Sequence, residues 1–146
     1  MYATAASPFS ARAPQAFANA YRRVGIETGI ESASPHRLVA MLFDGLIESI
    51  AQARGAMQSA QVEAKGRAIG RAVRIVEEGL KGGLNANGGG ALAVDLADLY
   101  GYITKRLTHA NLRNDAAALD ECQRLIEPLR DAWAGIAPQV EQPAAR

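Results

Sequence analysis

The chain has 146 residues, 49% of them apolar and 21% charged, with a formal net charge of +1. That length holds one domain with a sizeable core, and the near-neutral charge excludes a dedicated nucleic-acid binder, which carries a strong basic excess. Cys122 is the sole cysteine, which excludes an intrachain disulfide and a cysteine-based zinc site and makes a reducing cytoplasm the simplest compartment.

Residues 1–15 are rich in Ala, Ser and Pro without a sustained period and read as a mobile tail. They offer neither the long apolar run of a membrane span nor the basic lead of a signal peptide, so no membrane insertion is expected. In residues 16–33, Phe17, Tyr21 and Val24 recur at spacings of four and three. That is enough for one or two helical turns, which cannot stand alone and are expected to lie on a larger body as a flap.

Four amphipathic helices follow over 34–137. Ser34 is placed to cap the first, with Pro35 at its first helical position. Val39, Phe43, Leu46, Ile50, Ala53 and Met57 then mark an apolar stripe. Ile69, Val73, Val76 and Leu80 mark the second helix, and Leu92, Leu96, Leu99, Ile103, Leu107 and Ala110 the third. The fourth is entered through Asn114 or Asp115 and carries Leu119, Cys122, Ile126, Leu129, Trp133 and Ile136, with a kink expected at Pro128. Short connections between such helices predict an all-α, antiparallel up-down four-helix bundle. Residues 138–146 read as a second tail.

The stretch "GGLNANGGG" at 82–90 invites comparison with a phosphate-binding loop. A P-loop needs a strand before it and Gly-Lys-Ser/Thr at its end, whereas here a helical pattern precedes it and Ala91 follows. The glycines are read instead as ending one helix and releasing the chain into the next. Di-metal bundles need Glu-x-x-His pairs, but Ala33 and Arg106 stand three residues before His36 and His109. Asp95 and Asp98 lack a partner base, so no enzyme, metal or cofactor is implied. A histidine phosphotransfer module using His109, with Arg113 four residues on, is the main alternative. Against it, His109 lies near a helix C-terminus, where the dipole opposes an anion. A solvated or capping role is expected for both histidines. Arg67, Arg71 and Arg74 form a basic stripe, ordinarily a solvated face and alternatively the surface for an acidic protein partner.

Several short motifs occur together and in order: Ala20-Tyr21, Ala33-Ser34-Pro35, Met41-Leu42-Phe43-Asp44-Gly45, Leu99-Tyr100-Gly101-Tyr102, Ala110-Asn111 and Ala132-Trp133. Over residues 20–134 this pattern resembles the FliS family of flagellar secretion chaperones. Phe43 stands where the family often has Tyr, and the segment "GIETGIES" carries two glycines that should loosen it. The resemblance implies a cytoplasmic protein that binds the C-terminal segment of flagellin, prevents premature polymerisation and delivers it to the flagellar type III export gate. It makes Leu42, Phe43, Asp44, Tyr100, Tyr102, Leu107 and Asn111 candidate lining for a client groove. It makes Tyr21, Val24 and Ile26 candidate flap residues that occupy part of that groove until the client displaces them. Core packing is the competing role for each apolar residue, and helix capping for Asn111. Tyr100 and Tyr102 lie about 200° apart on a helix, so at least one ring is expected at a surface.

Overall fold

The computed structural model describes residues 34–84 and 86–136, with the backbone alone for 86–89. The flap residues Tyr21, Val24 and Ile26 and both tails lie outside the described residues. Four helical elements make up the described chain: α1 (Pro35–Gln58), α2 (Val62–Arg74, continued by a π-helical segment Ile75–Lys81), α3 (Ala86–Arg113) and α4 (Ala116–Gly135). Each packs on its sequence neighbour, and α4 closes the ring against α1. The architecture is the expected all-α bundle.

The caps are local chemistry. Ser34 Oγ accepts from the Arg37 N–H at 3.0 Å, satisfying an end donor of α1. Of the two residues available at the start of α4, Asp115 is the cap and accepts from the Ala118 N–H at 3.3 Å. Asn114 instead takes the left-handed conformation, φ 52°, that ends α3. The Asp115 N–H then reaches back to the Ala110 carbonyl at 3.1 Å, the long hydrogen bond of a Schellman end.

The core is filled by Leu42, Leu46 and Ile50 of α1, Ile69, Ile75 and Val76 of α2, Ile103 and Leu107 of α3, and Leu119, Cys122 and Ile126 of α4. The α1 and α2 stripes face it as their spacing requires. In α3 the stripe takes a different line. Ala93 and Tyr100 are buried with Ile103, Leu96 and Leu99 are half-buried against the core, and Leu92 is 67% exposed.

Two features depart from regular helix. The end of α2 widens into π geometry, and the Gly82 N–H bonds the Glu77 carbonyl five residues back at 3.1 Å. At this level α2 lies close on α1: a Cβ added to Gly79 would sit 2.8 Å from Leu42 Cδ2. The second departure is in the glycine stretch. Gly82 and Gly83 do leave the helix, but α3 already begins at Ala86. Gly90 alone interrupts it, at φ 57° and ψ −138°, a conformation open to glycine without strain. α4 runs through Pro128 to Gly135 as one helix.

Candidate binding surface

The seven candidate groove residues divide sharply by burial. Leu42, Phe43, Tyr100 and Leu107 belong to the hydrophobic core, each 4% exposed or less. They are core residues here rather than surface lining, because α1 and α3 turn those faces inward between their neighbours. Burial pushes the Tyr100 hydroxyl up to about 12. Asp44 is exposed on α1, Asn111 is half-buried near the end of α3, and Tyr102 is 44% exposed. Their separation around α3 leaves one tyrosine ring inside and the other outside.

Tyr102 heads a polar seam between α3 and α4. Its hydroxyl donates to Glu121 Oε2 at 2.5 Å, and Arg106 Nε donates to the other carboxylate oxygen at 2.8 Å. These two donors, Tyr102 first, hold the Glu121 carboxyl below its ordinary range, while the shared bond raises the Tyr102 hydroxyl. Arg106 also lies 4.0 Å from Asp115, which accepts from His109 at 3.2 Å. His109 thus keeps Nε2 against the carboxylate that caps α4. A phosphoryl group on that nitrogen would face a negative charge, which weighs against the phosphotransfer reading.

His36 is neither solvated nor a simple cap. It is 5% exposed, stacked on Trp133 with ring centroids 4.9 Å apart. Its Nε2 bonds the Trp133 carbonyl at 2.8 Å, and Trp133 Nε1 donates to the His36 carbonyl at 3.0 Å. This reciprocal clasp joins the start of α1 to the end of α4.

No sequence motif marks Lys65. It is 6% exposed, and its Nζ donates to the Asn111 carbonyl at 2.9 Å and to Asn114 Oδ1 at 2.5 Å. A cation there meets the negative end of the α3 dipole and its unpaired carbonyls. The available signal was position: Lys65 stands four residues before Ile69, on the buried stripe. On the opposite side of the bundle Arg54 bridges α1 to Asp120 and Gln123 of α4.

The arginine stripe lies along α2 beside α1. Arg67 and Arg74 are exposed, and Arg71 is half-buried, donating to Ser49 Oγ at 3.0 Å with Glu48 at 3.5 Å. Among the described residues no cluster of His, Cys, Asp or Glu could hold a metal ion. No described helix is long and apolar enough to cross a membrane.

The FliS family profile, described as "Flagellar protein FliS", matches residues 17–140. The chain is 43% identical over 120 residues to the flagellar secretion chaperone FliS of Salmonella typhimurium, covering 82% of this chain and 89% of the relative. It is 43% identical over 116 residues to the flagellar secretion chaperone FliSB of Pseudomonas aeruginosa, covering 80% and 91%. For the Escherichia coli flagellar secretion chaperone FliS the identity is 39% over 114 residues, covering 78% and 84%. A helical bundle closed by the His36–Trp133 clasp, matched by this profile along most of its length, belongs to the FliS family.

Proposed function

We propose that this protein is a cytoplasmic, non-enzymatic flagellar export chaperone. In this reading it binds the C-terminal segment of flagellin, keeps it from polymerising early and hands it to the flagellar type III export gate. The observation that carries the reading is the family match over residues 17–140, together with relatives named flagellar secretion chaperones. The physics agrees. A segment that is disordered until bound, with one apolar face, gains a cover from the faces of a helical bundle, and the ordering it undergoes keeps the complex reversible.

In this reading the client passes Tyr102 on α3, Asn111 near its end and Asp44 on α1, the three candidate residues with exposed or half-buried side chains. A client that touches all three wraps the bundle as an extended segment instead of lying in one cleft. Leu42, Phe43, Tyr100 and Leu107 then act from beneath, by setting the shape of the helices that carry the contact. Tyr21, Val24 and Ile26 of the flap compete for part of this path.

Calorimetric titration of the folded chain with the C-terminal segment of its own flagellin tests the proposal. Binding in the micromolar range or tighter is expected, and no binding at those concentrations overturns it. Deleting residues 1–24 leaves client affinity unchanged or tighter; a folded truncation that binds several-fold more weakly removes the competing role of the flap.

A further inference from the structure

The surface between α1 and α2 is open. A groove of about 630 Å³ passes Gly55, Ser59, Ala64, Arg67 and Arg71, and a second hollow continues along α2 past Gly66, Gly70 and Arg74. Its charge is unevenly answered. Arg71 is held from across the groove by Ser49 and Glu48. Among the described residues, Arg67 and Arg74 meet no hydrogen-bond or ion-pair partner. Glu63 is the one carboxylate lining the hollow that holds all three arginines.

The floor of the groove is unusual for what it lacks. Gly55 lines the groove and Gly66 the hollow that continues it. Both sit inside helices, where glycine is the poorest residue after proline. A Cβ at either would meet no atom within 4 Å. None of the described residues needs those side chains to be missing. A backbone arriving from outside would need it, since glycine permits close approach.

We propose that this groove docks an acidic amphipathic helix of a second protein. The entering face carries small residues over Gly55 and Gly66, and its flanks carry carboxylates for the two unanswered arginines. Arg67 and Arg74 are two helical turns apart, about 10 Å along the axis, which Glu or Asp at positions i and i+7 of the incoming helix matches. The partner is distinct from the client, and the inference stands whether or not flagellin binds.

The probe is a synthetic helix of about 20 residues, alanine along one face and glutamate on its flanks, long enough to span the groove. A second peptide has lysine in place of glutamate. Fluorescence anisotropy with the full chain should show binding of the acidic peptide, weakened by salt, and none of the basic one. The double variant R67E/R74E should weaken the acidic peptide by about tenfold or more. Gly66→Leu, which fills the hollow without touching a described atom, should abolish binding while leaving the melting temperature the same or higher. Equal binding of both peptides, or binding of neither, overturns the proposal. So does a wild-type dimer in sedimentation that Gly66→Leu converts to monomer, because a second copy then covers the groove. Titration of the R67E/R74E variant with the flagellin segment separates the two readings: unchanged affinity supports a distinct site, and parallel loss of both ligands overturns it.

Discussion

Ala60 carries backbone strain that its side chain does nothing to relieve. It ends α1 at φ 57°, with the Gln61 N–H bonded to the Ala56 carbonyl at 2.8 Å and its own N–H to the Met57 carbonyl at 3.2 Å. This is a Schellman end in which glycine is the unstrained choice. Replacing Ala60 by Gly should raise stability by about 1 kcal/mol, read as a higher denaturant midpoint at unchanged slope; a lower midpoint refutes the assignment. Tyr102 offers a pH-dependent test. Hydrogen bonds from Tyr102 and Arg106 lower the folded-state value of Glu121 from 4.5. A depressed carboxylate stabilises the fold above its unfolded value, and that stabilisation is lost as pH falls through the folded one. Tyr102→Phe should therefore lower the denaturant midpoint near neutral pH and have no effect on it once Glu121 is protonated in both variant and parent. A deficit that persists unchanged in acid would mean the ring, not the hydroxyl, matters. At this scale the sequence separated two tyrosines by angle but could not say which was buried. Leu42, Phe43 and Leu107 pose the same problem, because an apolar side chain looks alike under a partner and inside a core.

At the scale of elements, Pro128 is the clearest liability. It lies inside α4, exposed, and removes the N–H that would bond the carbonyl of Arg124, itself on the exposed side where water can replace it. Pro128→Ala should stabilise the bundle by about 2 kcal/mol, since a helix-interior proline costs roughly 3 kcal/mol against alanine and part of that is relieved by solvent. Thermal unfolding followed by circular dichroism checks it; an unchanged or lower midpoint would mean that the proline is matched by a bend the bundle needs. The helices, their caps at Ser34 and Asp115 and the inward stripes of α1 and α2 were legible because each rests on local chemistry and period. The π segment was not. Ile75, Val76, Gly79 and Leu80 fit an α-helical stripe equally well, and the widening belongs to the close passage of Gly79 over Leu42, which is a tertiary contact. Lys65 was hidden for a related reason. A lysine is assigned to the surface until a neighbouring helix end supplies the carbonyl that justifies burying it.

Taken whole, the bundle encloses one chemical reporter and one optical reporter. Cys122 is fully buried, its Sγ donating to the Ile103 carbonyl at 3.8 Å, and burial pushes the thiol up to about 12. It should react with a thiol reagent at neutral pH only through opening of the bundle, so labelling should accelerate with denaturant in step with loss of helix. Rapid labelling of fully helical protein would show that the α3–α4 packing opens on its own. Trp133, the single tryptophan, reports the other end through its clasp with His36. Those partners are 97 residues apart in the chain. At a synthesis rate of roughly 5–20 residues per second, α1 waits about 5–20 s for the helix that completes its packing. During that interval its apolar stripe has no α4 to rest on. A nascent molecule of this family is for those seconds itself a client, with an uncovered amphipathic helix awaiting its cover.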